Sequence, residues 1–173
     1  VAIAGHPGRY DMQIEHGRIA AITPSQATGG GLITPLLADV HVHLDKTFTI
    51  QRIAQNGDTK VECLFDAIDL MNTDRQNWSA EDIRARATRG LEAALAQGVG
   101  AIRSHVDWTK PEVPTAWPVL NELRHEWKDR IDLQLAALIH GDLVLEAGRD
   151  IADRVKADGG VLGAFFYRNA DLA

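Results

Sequence analysis

The chain has 173 residues, 45% of them hydrophobic, and a formal net charge of −6. That is enough apolar material for one ordinary core, and an acidic balance with no dense Lys/Arg run excludes a nucleic-acid groove. Cys63 is the only cysteine, so an intrachain disulfide is excluded and a reducing, cytoplasmic setting is expected. No apolar run is long enough to span a bilayer, and the opening residues do not read as a signal segment. The sequence starts at Val1 rather than methionine, which reads as a trimmed piece of a longer protein.

Residues 11–22 alternate in polarity on either side of His16-Gly17. They predict a β-hairpin whose turn uses a positive φ at Gly17. Residues 25–31 are small and glycine-rich, which marks a connection. The apolar stretch Leu32-Ile33-Thr34-Pro35-Leu36-Leu37-Ala38 then leads into Asp39-Val40-His41-Val42-His43-Leu44-Asp45-Lys46. Period-two alternation there predicts a strand. On it His41 and His43 share one face with Asp39 and Asp45, while Val40, Val42 and Leu44 take the other. Two neutral imidazoles so placed can converge on one divalent ion. A half-buried strand whose histidines only make hydrogen bonds is the plainer alternative. The flanking carboxylates and the apolar approach favour a metal site at the strand's C-terminal end.

Further along, helical and extended patterns alternate. Ser79 reads as an N-cap, with Asp82 at the third helical position where a capping box usually has Glu. The helix runs through Ile83, Ala87, Leu91, Ala94 and Leu95 and stops at Gly98. A strand is expected over 99–106. A helix over 114–127 follows, with Pro118 near its first turn and Val119, Leu120, Leu123 and Trp127 on one face. Then come a strand over 131–139, a helix over 143–157 closed by Asp158-Gly159-Gly160, and a strand over 161–166. Asn169 reads as the N-cap of another helix. Trp78, Trp108, Trp117 and Trp127 read as packing residues. Cys63 reads as a small buried hydrophobe, since no basic partner adjoins it.

Alternation of this kind implies a parallel sheet with right-handed crossovers. Polar residues gather where each strand ends: His43 and Asp45, His105 and Asp107, His140, then Tyr167 and Arg168. In a (β/α)8 barrel those ends form the active-site face. A complete barrel needs roughly 250 residues, so about four βα units read as half of one, and the chain reads as stopping in mid-domain. His105 and Asp107 share parity with Arg103; a place near substrate and a structural role at the strand end are both open. Asp45 and Lys46 are expected to form a local ion pair or an orienting shell around the site.

Several segments in order resemble the amidohydrolase superfamily, in its bacterial cytosine deaminase-like branch. Gly17-Arg18-Ile19-Ala20-Ala21-Ile22 is similar to that family's N-terminal β-sandwich segment, and residues 39–46 to its first-strand metal motif. Leu64-Phe65-Asp66-Ala67-Ile68 is similar to its pocket segment, usually Leu-Phe-Glu-Gly-Ile. Ile102-Arg103-Ser104-His105-Val106-Asp107 is similar to its second strand, and Ile131-Asp132-Leu133-Gln134-Leu135 to its third. The resemblance implies an α/β fold, the N-terminal half of a (β/α)8 TIM barrel preceded by a small β-sandwich segment, with boundaries at 1–34 and 35–173.

It also implies that His41 and His43 are two ligands of one catalytic Fe(II) or Zn(II), and that Leu64 lines the base pocket. Family members draw a third histidine, a glutamate acid/base, a further histidine and an aspartate from strands five to eight, beyond this sequence. No catalytic acid or base is therefore expected in this chain, and Asp45, His105 and Asp107 are candidates to orient the ligands from behind. The strand-three glutamine that contacts the pyrimidine in cytosine deaminases is matched here by His140. Imidazole offers one donor and one acceptor where an amide offers more, so recognition of the ring is expected to differ. The implied chemistry is hydrolytic deamination of a cyclic amidine or pyrimidine-like substrate. Release of an alkylamine from an aminotriazine-like ring, of isopropylammelide type, is the alternative within hydrolases. A non-catalytic fragment that only binds or assembles is the alternative outside them. The implied partners are a small heterocyclic substrate and the C-terminal half, with homo-oligomerisation left open and neither nucleic acid nor membrane expected.

Overall fold

The computed structural model describes residues 1–55 and 60–166. Tyr167, Arg168 and the expected N-cap Asn169 lie outside the described residues. The chain divides into two compact units, Val1–Leu36 and Leu37–Ala173.

In the first unit, β2 (Tyr10–Glu15) and β3 (Arg18–Pro24) form an antiparallel hairpin, and β1 (Ala2–Ile3) pairs in parallel with β4 (Leu32–Ile33). His16 and Gly17 both take left-handed backbone conformations, with φ of 50° and 73°. Two successive positive φ values give the turn a twist that matches the strands, so the hairpin forms where the sequence places it. The unit holds two separate two-stranded sheets.

The second unit is built on one parallel sheet of order β5-β6-β7-β8. Its elements are β5 (Leu37–Val42), α1 (Thr49–Gln55), α2 (Leu64–Asp74), α3 (Ala80–Ala96), β6 (Val99–Trp108), α4 (Ala116–Trp127), β7 (Asp132–His140), α5 (Leu143–Glu146), α6 (Gly148–Ala157) and β8 (Val161–Phe165). The four strands curl as half of a barrel. Alternate residues of β6 (Ile102, Val106, Trp108) and of β7 (Leu133, Leu135, Ala137, Ile139) are buried in one apolar cluster. Ile83, Ala87 and Leu91 of α3, Leu120 and Leu123 of α4, and Ile151 and Val155 of α6 complete it. The opposite parity carries Arg103, His105 and Asp107 on β6 and Gln134, Leu138 and His140 on β7. Period two therefore separates the packing face from the face that bears the chemistry.

Local signals in the sequence account for much of this. Ser79 caps α3, its hydroxyl accepting the Asp82 N–H at 3.1 Å. Gly98 follows at φ 78°, a conformation that costs glycine nothing. Trp108, Trp117 and Trp127 are buried, and Trp78 packs against the cluster. Four expectations need correction. The helix read over 143–157 is two helices, because Ala147 leaves helical geometry at φ −128°. Between the histidine strand and α3 lie two helices, α1 and α2, that the periodicity did not disclose. The third strand begins and ends one residue later than expected, so His140 is its last residue. Cys63 is exposed; it is the N-cap of α2, where Asp66 accepts the N–H groups of Glu62 and Cys63 at 2.9 and 3.1 Å.

Candidate active site

The histidine strand ends earlier than its alternation suggests. β5 stops at Val42, so His43 is the first residue beyond it. Asp39 pairs with Ile102 and Val42 with Ser104; three steps along β5 match two along β6. This is a β-bulge, which shifts the face that later side chains occupy. The uniform face expected for Asp39, His41, His43 and Asp45 is therefore replaced by a break at the bulge. Beyond it, Leu44 turns into the core, and its N–H is accepted by the buried Ser104 hydroxyl at 3.1 Å.

The His41 and His43 rings lie edge to face, with centroids 5.4 Å apart. Zinc–imidazole nitrogen distances of ~2.1 Å put two rings on a shared ion roughly 5 Å apart, so this spacing suits a common ion. His105 stacks on His41 at 3.9 Å with 17° between the planes. Ring lone pairs lie in the ring plane, so stacked rings cannot both aim at one point. His105 is thus a neighbour of the pair, with its Nδ1 buried and lacking a hydrogen-bond partner. Burial, and then Lys46, push His43 down to about 4; burial and His41 also lower His105. Neutral rings keep a lone pair for ligation.

Asp45 is only 2% exposed, and this burial pushes it up to about 6. Its Oδ1 and the His43 Nδ1 are both buried without hydrogen-bond partners, standing 3.9 Å apart, beyond hydrogen-bond reach. The expected Asp45–Lys46 pair is not formed; Lys46 Nζ instead donates to Asp107 Oδ2 at 2.6 Å. Arg75 approaches the same oxygen at 3.5 Å. The strand-end carboxylate of β6 thus ties together the loop after β5 and the turn after α2.

His140 closes β7, its ring edge to face with Phe165 at 5.1 Å, and its Nδ1 accepts the Asp142 N–H at 3.4 Å. It lines a cavity of about 370 Å³ with Ile68, Met71, Asn72, Arg75 and Asp107 among its walls. Leu64, the residue matched to the family's pocket position, is 71% exposed at the start of α2 and is not part of this wall. The inward residues of α2 are Ile68, Met71 and Asn72, with Arg75 just past its end, at helical spacing. The resemblance to the family's pocket segment marked Ile68 but not Met71, Asn72 or Arg75, which lie beyond the matched residues.

The buried, orphaned Nδ1 of His43 and the spacing of its ring from that of His41 fit a divalent ion shared by the two. No group of three or more His, Cys, Asp or Glu side chains among the described residues is placed to hold one. The described residues thus provide two donors, where catalytic zinc takes three from protein.

A scan against protein-family models finds no match. Pterin deaminase from Rhizobium rhizogenes is 37% identical over 145 residues, which cover 82% of this chain and 32% of that protein. The chain thus spans about a third of the curated relative's length. Among solved structures, 5-methylcytosine deaminase from Klebsiella pneumoniae with 5-fluorocytosine superposes with a TM-score of 0.67 at 22% identity, covering 94% of this chain and 49% of that one. N-isopropylammelide isopropylaminohydrolase from Burkholderia multivorans gives 0.60 at 20% identity, covering 97% and 52%. At these identities the solved structures speak for the fold. With the pterin deaminase match, they bear out the resemblance to the amidohydrolase superfamily read from the sequence.

Proposed function

We propose that this chain is the N-terminal half of a metal-dependent deaminase acting on a cyclic amidine within a nitrogen heterocycle. The carrying observation is the edge-to-face pair of His41, within the bulge at the end of β5, and His43, just past it, beside the strand-end residues of β6 and β7. In this reading His41 and His43 hold one Fe(II) or Zn(II), which when bound makes water a usable nucleophile near neutral pH. His140 contacts the ring of the substrate through the ring atoms left by its Nδ1, which accepts the Asp142 N–H, so it reads the ring edge differently from an amide. Lys46 and Arg75 fix Asp107 at the mouth, while Asp45 and His105 orient the ligand rings. Leu64 contacts substrate only if α2 is drawn inward on binding. The parallel sheet is then the first half of a (β/α)8 barrel, and the first unit, proposed to end near residue 34, is part of a β-sandwich.

The pterin deaminase match favours a fused pyrimidine ring over a single one. A heterocyclic small molecule is the proposed partner, in a cytoplasmic enzyme whose catalytic acid and remaining ligands come from the C-terminal half. Among the described residues no helix is long and apolar enough to cross a membrane. Turnover of pterin, cytosine and N-isopropylammelide by the full-length protein tests the substrate class. Ammonia release from a fused or single pyrimidine is expected, with loss of at least about 100-fold in the His41→Ala/His43→Ala variant. Isopropylamine release alone would move the chain to the alkylamine-releasing alternative. No turnover of any ring would leave the non-catalytic reading.

A further inference from the structure

The loop that follows the histidine pair rests on a single face of α3. Arg86, 8% exposed, donates through Nη1 to the carbonyls of Asp45 at 2.5 Å and Thr47 at 3.0 Å. Its Nε and Nη2 donate to Asp82 Oδ2 at 3.0 and 2.8 Å. Asp82 is gripped from the other side by Arg52 of α1 at 2.9 Å, and Arg52 also binds both oxygens of the buried Asp74. One helical turn after Arg86, on the same face, stands Gly90. A Cβ there would meet the Leu44 Cδ2 methyl at 3.0 Å and Thr47 Cγ2 at 3.5 Å. Phe48, just beyond, takes a left-handed φ of 62°, with the Arg89 guanidinium 3.9 Å from its ring centroid. Left-handed backbone at an aromatic residue is strained and persists only where its surroundings hold it.

From this geometry we infer that the Arg86–Gly90 face of α3 is a positioning seat for the histidine loop, setting where His43 and Asp45 sit through the backbone of residues 44–47. Arg86 fixes two loop carbonyls through its planar fork, which lysine cannot reproduce. Gly90 admits the Leu44 and Thr47 side chains against the helix. The arrangement would otherwise be unfavourable locally: glycine in a helix interior is worse than alanine, and a part-buried arginine needs its carboxylate partner. Neither residue touches substrate or metal. The inference rests on the proposed metal site, and its test separates the two.

Zn(II) and Fe(II) dissociation constants and thermal melting are measured on the full-length protein and on Arg86→Lys, Gly90→Ala and Leu120→Ala. Leu120, fully buried on α4, provides a variant destabilised away from the loop. The seat predicts 10- to 100-fold weaker metal binding in Arg86→Lys and Gly90→Ala, as outer-shell losses typically give, and unchanged affinity in Leu120→Ala. Gly90→Ala is the sharper arm, because helix propensity alone would raise its stability. Folded variants with wild-type affinity overturn the seat while leaving the metal site standing. Equal weakening in Leu120→Ala also overturns it, since general destabilisation would then suffice. A wild-type protein that binds neither ion overturns the proposed metal site itself, and the seat with it.

Discussion

Asp74 shows what one residue does in this structure. It is 4% exposed, accepts from Arg52 Nε and Nη2 at 2.7 and 2.6 Å and from Trp78 Nε1 at 2.8 Å, and also accepts from Asn77. The Arg52 hydrogen bonds hold its carboxyl far below the ordinary range. Asp82 is also lowered, by Arg86 and Arg52 acting against its burial. The sign follows from proton counting. Near pH 4 the unfolded carboxyls take up protons that the folded ones refuse. The stability they contribute is whole above that pH and is lost as pH falls toward the folded values. Urea unfolding between about pH 3 and pH 6 is expected to show a steep decline on acidification in wild type and a shallower one in Asp74→Asn. At neutral pH that variant is expected to lose about 3 kcal/mol, because Arg52 loses its main partner. Parallel pH profiles would remove Asp74 from this role. That His41 and His43 lie side by side was legible in the sequence because their spacing is local. The Arg52–Asp74 pair was not, since its members lie on different helices and only tertiary packing unites them.

At the scale of elements, periodicity and caps located α3, α4 and three of the four parallel strands to within a residue or two. They failed at the bulge in β5, because a bulge is set by pairing with β6 and leaves no mark on a single strand's pattern. They failed again at α1 and α2, which the periodicity did not disclose, and at the break between α5 and α6. Gly160 illustrates a constraint visible only after packing. It enters β8 beneath α4, where an added Cβ would stand 2.7 Å from the Trp117 ring and 3.1 Å from Val155. Trp117 is fully buried and its indole N–H is held by Asp158 at 2.8 Å, so the ring has little room to yield. Gly160→Ala is therefore expected to destabilise the protein by about 1–3 kcal/mol through overpacking, read by urea or thermal unfolding. A neutral or stabilising effect would mean the α4–β8 contact is looser than these distances show. The Trp117 role as packing was legible; the glycine's was not, because the sequence does not show which ring lies above it.

Among the described residues of the second unit, the sheet ends at β5 and β8. Leu37 and Val40 on one edge and Leu162 on the other are exposed at 57%, 70% and 47%. Unpaired parallel edges with exposed apolar side chains favour association. The solved relatives are about twice as long as the part this chain covers. The 173-residue chain alone is expected to lack deaminase activity and to self-associate in sedimentation experiments. Adding the C-terminal half in trans is expected to restore turnover. Activity from the 173 residues alone would show that two histidine donors and their neighbours suffice. The fold class was legible because βα alternation is a whole-chain pattern. Substrate identity was not, because the wall around His140 comes from α2, β6, β7 and β8 together and only part of it can be read from any one segment.

The most direct test is metal stoichiometry of the full-length protein, measured by inductively coupled plasma mass spectrometry after purification without chelators. Close to one equivalent of iron or zinc per chain is expected in wild type, falling to a small fraction in His41→Ala/His43→Ala with the fold retained by circular dichroism. Equal metal content in the two proteins would contradict a metal centre at the end of β5.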